Sequence, residues 1–384
     1  MARRASGDLA AAGGTNRRLC ARGGALCAHV SSAQPPDGCL IRGIAPIGQQ
    51  PLQSACYRRR SAAAPIHWLW RAAQRFRELS VIAERLAGAA LALTEGVGWQ
   101  TATRLLAAFG SPQKVLSATP EQLAPLRGVS AQVKRNLAAL DTARLDAKLR
   151  SWRAQAIHYA LWYEADYPPP FARLPSRPLI VFWRGTALPE SSRCIAIVGT
   201  RRPSEATLQQ TAEWSAYLAG RGWAIISGLA YGVDAAAHQA AVSVRGYSGA
   251  VLGCGILRLY PPDHADLAAK LQGNGFLLSE YAPDRVVRPN WLALRNRLIA
   301  ALCRAVIVME ATAGSGVLHT ARFAGAQGVP VFAVPNSEGN YAILAEYARP
   351  LPETPDLFLE TLQRLPYPPE PQNTDAQPRL LFEE

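Results

Sequence analysis

The stretch Ala224-Ile-Ile-Ser-Gly-Leu-Ala-Tyr-Gly-Val-Asp-Ala-Ala-Ala-His238 decides the fold. A short apolar run stops at Ser227-Gly228, and an alanine-rich run opens at Asp234. That order reads as a strand, a tight loop and a helix. The same grammar recurs on both sides: Ile195 to Val198 ends at Gly199, Ala250 to Leu252 at Gly253, and Phe276 to Leu278 at Ser279. Val306 to Val308 ends before Glu310, and Val331 to Val334 ends at Pro335. Helix-length segments with alanine faces alternate with them, among them Leu208 to Gly220, Asp234 to Val242 and Val317 to Gln327. Continuous apolar strands separated by helices imply a parallel sheet covered on both faces. Two strand-like runs, His158 to Tyr163 and Leu179 to Arg184, lead into it. The expected fold is α/β, a doubly wound, mostly parallel sheet. Right-handed crossovers then gather every strand's C-terminal loop along one edge, where ligands bind.

Upstream the period changes. From about Ile82 apolar residues fall three and four apart, as in Leu86, Ala89, Ala90 and Leu93, which predicts a small all-α domain over 81–150. Within it Gly96-Val97-Gly98 leads into Thr101 to Phe109, and Gly128-Val129-Ser130 leads into Val133 to Leu140. Such repeated hairpins suit a helix-hairpin-helix contact with phosphates through free N–H groups at the helix starts. They also suit a bundle that only packs on the next domain, and the sparse Arg and Lys beside the first hairpin favour that reading.

Charge is unevenly spread over the 384 residues. Residues 1–80 hold 12 Lys+Arg against 3 Asp+Glu, whereas 336–384 hold 3 against 9. The first segment, rich in Ala, Gly, Arg, Ser and Pro, reads as a disordered basic extension. It is either a genuine tail or the product of a start placed too far upstream, since Met1 and Met309 are the only methionines. Residues 366–384 read as an acidic, Pro-rich tail. No apolar run approaches the ~20 residues needed to span a bilayer. The seven cysteines form no Cys-x-x-Cys pair, so neither a disulfide framework nor a metal site is indicated, and a cytoplasmic location is expected.

The strand-end loops are built from small residues: Gly199-Thr200-Arg201-Arg202, Ser227-Gly228, Gly253-Cys254-Gly255 and Glu310 to Gly316. Small side chains let a phosphate approach the backbone. The spacing fits neither the dinucleotide fingerprint nor the P-loop, and no cofactor is implied. Arg288-Pro-Asn-Trp291-Leu-Ala-Leu-Arg295-Asn296-Arg297 adds guanidinium groups and an indole to the same edge. Guanidinium forks fit phosphate oxygens and an indole stacks on an unpaired base, which is chemistry for a single strand of nucleic acid.

Six ordered blocks carry a resemblance: Gly199-Thr-Arg201, Ser227 to His238, Leu259-Tyr-Pro-Pro262, Ser279-Glu-Tyr281, Arg295-Asn-Arg297 and Phe332-Ala-Val-Pro335. Together they resemble the DNA-processing protein A family (DprA, also called Smf) over about residues 82–365. The resemblance implies an extended Rossmann-like domain over 151–365, preceded by a sterile-alpha-motif-like domain. It implies binding of single-stranded DNA during natural transformation, loading of the RecA recombinase, and a homodimer without membrane association. By position its DNA-binding residues are Thr200, Arg201, Ser227, Gly228, Arg288, Arg295, Asn296 and Arg297, and the strand-end loops and basic segment read above add Gly199, Arg202 and Trp291 to the expected interface. This chain departs from the family in several places: Thr200 replaces a serine, Leu292 stands where phenylalanine is common, and Asn336 replaces a glycine. A winged helix, common in the family, is not expected from the acidic, Pro-rich stretch 366–384. The alternative is a nucleotide phosphoribohydrolase-type enzyme using Glu310 or Asp234. Its Pro-Gly-Gly-x-Gly-Thr-x-x-Glu signature is missing, and no catalytic residue is assigned. Asp234 is expected to cap the helix after it, with His238 as a packing or hydrogen-bonding partner.

Overall fold

The structure is a computed structural model that describes residues 66–367, with side chains from residue 80 onward. The expected extension therefore lies mostly outside the described residues, as does the tail from 368 on. Six helices precede the first strand: α1 (Ile66–Leu93), α2 (Trp99–Phe109), α3 (Pro112–Leu116), α4 (Pro120–Leu123), α5 (Ala131–Ala138) and α6 (Thr142–Ala154). The first of them begins inside the stretch read as extension. Strands β1 (His158–Leu161) and β2 (Ile180–Gly185) form an antiparallel pair. The alternation then runs β3 (Cys194–Val198), α7 (Glu205–Gly220), β4 (Ala224–Ser227), α8 (Val233–Ser243), β5 (Ser248–Leu252), α9 (Ala265–Gly273), β6 (Gly275–Ser279) and α10 (Pro289–Leu302). It continues with β7 (Ala305–Val308), α11 (Gly316–Ala326), β8 (Val331–Ala333), α12 (Glu338–Glu346), β9 (Arg349–Pro350) and α13 (Pro355–Arg364).

The strands form one sheet in the order β1-β2-β6-β5-β4-β3-β7-β8-β9, parallel from β6 to β9. Both faces of the central strands are buried, and because successive residues point to opposite faces, β3 and β7 are apolar at every position. On β3, Ala196 and Val198 join Leu298, Ala301 and Ala321 under α10 and α11. Ile195 and Ile197 turn the other way, against Trp214 and Leu218 of α7, Ala237 of α8 and Phe358 of α13. The helices before β1 have their own core of Leu91, Leu105, Leu106, Val133 and Leu137. They also reach the sheet, because Ala89, Leu149 and Trp152 pack with Phe182 and Leu277.

Short β9 left no pattern to read: it has two residues, one a proline, which supplies no ladder N–H. The opposite edge is closed by side chains. Arg85 on α1 donates from Nη2 to Tyr159 O at 2.9 Å, Glu164 Oε2 accepts from Leu161 N–H at 2.9 Å, and Arg85 Nε meets Glu164 Oε1 at 2.6 Å. No described helix is long and apolar enough to cross a membrane.

His238, fully buried on α8, shares a hydrogen bond with Ser248 Oγ at 2.8 Å. Burial pushes its pKa down to about 3, helped by the charges of His264 and Arg295. An unfolded histidine titrates near ~6.5, so below that pH the unfolded chain takes up a proton that the folded chain refuses. The contribution of this group is present above pH ~6.5 and is lost as pH falls toward 3. Urea unfolding between about pH 7 and pH 5 should lose up to about 1.4 kcal/mol per pH unit from it. His238→Asn should flatten the dependence by that amount, and an identical slope in both proteins would contradict the assignment.

Candidate nucleic-acid interface

The strand order reverses between β3 and β7, so the loops leaving their carboxyl ends part and open a crevice. A cavity of about 910 Å³ occupies it. Its floor is the turn after β3, fixed by Thr200 N–H donating to Glu310 O at 2.8 Å and by Arg202 N–H donating to Thr200 Oγ1 at 3.2 Å. Arg201 and Arg202 are exposed at its mouth, and neither guanidinium has an ion-pair or hydrogen-bond partner among the described residues. Leu292, Ala293, Ile299 and Val317 supply apolar wall, with Tyr260 at the rim.

Behind this wall lies a buried polar cluster. Arg295, 5% exposed, donates from Nη1 to Gly228 O at 2.7 Å and also to Val251 O, and from Nε to Asn296 Oδ1 at 3.1 Å. One guanidinium thus fastens the ends of β4 and β5. Gly228 has to be glycine here, because a Cβ would lie 2.4 Å from Arg295 Nη1. Asp234 Oδ2 accepts from Gly228 N–H at 3.1 Å and Ala230 N–H at 3.3 Å. It therefore pins the loop before α8, a role different from the helix cap expected of it. Burial pushes the Asp234 carboxyl up, against the opposing charge of Arg295 and the hydrogen bonds it accepts. Ser227, wholly buried, donates from Oγ to Ile197 O at 2.7 Å and ties β4 to β3.

Asn296 donates from Nδ2 to Gly316 O at 3.1 Å and anchors the start of α11. Arg297 grips Glu280 through two hydrogen bonds of 2.6 Å and reaches Ser176 O at 3.1 Å. The Arg-Asn-Arg run thus holds the protein's own loops together. Glu310, the carboxylate of the enzyme alternative, accepts at Oε2 from Ser204 N–H at 3.1 Å and Ser204 Oγ at 3.0 Å. Burial raises its pKa, but bonds from Thr207 and Ser204 outweigh that and keep it below the usual carboxylate range.

The eleven residues expected at the interface do not share one groove. Gly199, Thr200, Arg201, Arg202, Arg295 and Asn296 line the switch-point cavity, with Ser227 and Gly228 buried behind it. Arg288, Trp291 and Arg297 come off another side of α10 and line a second cavity of about 320 Å³. There the Trp291 ring lies flat on Tyr281, centroids 3.9 Å apart and planes 9° from parallel. Sequence reasoning missed Arg285 in the second cavity and Tyr260 in the first. Tyr260 lay in a block quoted for the resemblance; nothing in the local pattern marked Arg285.

Residues 158–363 match the family described as DNA recombination-mediator protein A. The chain is 40% identical over 179 residues to Protein Smf of Synechocystis sp., covering 45% of each chain. It is 31% identical over 236 residues to the DNA processing protein DprA of Bacillus subtilis, covering 58% of this chain and 77% of that one. The X-ray structure of DNA processing protein A from Streptococcus pneumoniae superposes with a TM-score of 0.61 at 26% identity, over 74% of this chain and 98% of that one. The chain thus spans less than half the length of the Synechocystis relative.

The different surroundings of the arginines give different expectations. Arg295→Ala strands two carbonyls and a buried carboxyl, so urea unfolding should show a loss of about 3–5 kcal/mol. Arg201→Ala removes an exposed, unpaired group and should change stability by no more than about 0.5 kcal/mol. Equal losses in the two variants would contradict this division.

Proposed function

The chain belongs to the DNA recombination-mediator protein A family, and from that premise we propose that it binds single-stranded DNA in the switch-point groove during natural transformation. We further propose that it protects the incoming strand and loads RecA onto it, acting as a cytoplasmic homodimer. The observation that carries the reading is the pair of unpartnered guanidinium groups, Arg201 and Arg202, at the mouth of a partly apolar groove. Phosphates seek such groups, and the apolar wall behind them suits the faces of unpaired bases. A duplex keeps those faces stacked inside, so a single strand is the better ligand. The family's description as a recombination mediator supports the hand-over to RecA.

The physics sets the form of the binding curve. Each phosphate neutralised on a single strand adds about −0.7 to the slope of log affinity against log salt. Fluorescence anisotropy with single- and double-stranded oligonucleotides at two salt concentrations should show a strong preference for the single strand and a steep salt dependence. Arg201→Ala and Arg202→Ala should each weaken binding by about 1–3 kcal/mol with unfolding midpoints unchanged. Equal affinity for duplex, or wild-type affinity in both variants, would remove the reading. RecA filament assembly on single-stranded DNA should start sooner with the chain present, and an unaltered lag would remove that part.

A further inference from the structure

The two glycine hairpins differ in how their helices begin. Ser130 caps α5 by accepting from Val133 N–H at 3.2 Å, and Arg104 of α2 donates to Gly128 O at 2.9 Å, so the second hairpin already has partners inside the helical region. The first has no basic residue close by in sequence, and Gly98 gives α2 no side-chain cap. The fold supplies the missing charge from far along the chain: Arg285 and Arg288 share the second cavity with Gly96, Gly98 and Trp99. We propose that this cavity, between the first hairpin and the loop entering α10, is a second phosphate-and-base contact for the same single strand. Arg285 and Arg288 are its phosphate partners and Trp291 its stacking ring; the inference rests on the switch-point reading above.

The charges in the cavity are of two kinds. Arg297 is engaged by Glu280, and Arg177 lies over the Trp99 ring, 3.7 Å from its centroid, so both stay with the protein. Arg285 is exposed, and its guanidinium has no ion-pair or hydrogen-bond partner among the described residues. Arg288 meets Glu95 at 3.6 Å, with 55% and 64% of the two side chains exposed. Exposed pairs of this kind contribute little and give way readily to a phosphate. Trp291 is already oriented, held flat on Tyr281 with the Arg288 guanidinium 4.9 Å from its ring centroid. A cation beside an ordered indole is how single-strand sites combine a backbone contact with a stacking face. The path is continuous, since Val287, Pro289 and Leu292 face the switch-point cavity and Arg288 and Trp291 face this one. A strand leaving the first cavity needs only to cross the opening turn of α10.

The test uses the full chain with two oligodeoxythymidylates, about 4 and about 16 nucleotides long, the range of single-strand site sizes. The wild-type chain should bind the longer one more tightly and with a steeper salt slope. In Arg285→Glu/Arg288→Glu the advantage of length should collapse by about tenfold or more, and the slope for the long oligomer should fall by about 1.4 for two lost phosphate contacts. Arg285→Gln/Arg288→Gln should lie between, separating lost contacts from introduced repulsion. Both side chains are exposed, so the urea midpoint should not move. Failure of the wild-type chain to bind either length overturns the switch-point reading and this one with it. Binding of both lengths, with the double variants indistinguishable from wild type on the long oligomer, overturns the second contact alone.

Discussion

A single buried cation organises the carboxyl edge of the parallel strands. Arg295 takes carbonyls from the ends of two neighbouring strands and sits close enough to Asp234 for each to shift the other's protonation. Parallel strands end without the hairpin bonds that finish antiparallel ones, so their last carbonyls need other donors. The guanidinium fork meets that need at two strands at once. Asp234 in turn gathers the loop amides that face it, and Asn296 and Arg297, next along the helix, secure α11 and the loop after β6. The loops are thus tied to one another by hydrogen bonds within the protein, an arrangement that lowers the entropy a ligand's binding would cost.

That economy divides the arginines. Those of the Arg-Asn-Arg run are buried and hydrogen-bonded, whereas Arg201, Arg202, Arg285 and Arg288 are exposed. A buried guanidinium with its donors satisfied fixes geometry; an exposed one attracts anions. The first group builds the trough and the second gives it charge.

Much of the architecture was legible. Apolar runs of three or four residues that stop abruptly at a loop have few physical readings, and each of those around Ile195, Ile225, Val251, Leu277, Val306 and Phe332 is a strand of the sheet. The division among the arginines was not legible. Whether a guanidinium meets a carbonyl or water depends on which strand ends lie above it, and neighbours in sequence say nothing of that. The same holds for Arg285, brought to the first glycine hairpin by the packing of the helical region against the sheet. The glycines could be read only half-way, because Gly228 is required by a side chain sixty-seven positions away.

The lateral margins of the sheet have a consequence of their own. At one side the Arg85–Glu164 pair occupies backbone groups of β1 that would otherwise face outward. At the other, β9 is two residues long and ends in Pro350. Neither border offers a ladder for a neighbouring molecule to extend. A second copy of this chain would therefore find no strand to add to at either described margin, and contact between copies would be made by side chains.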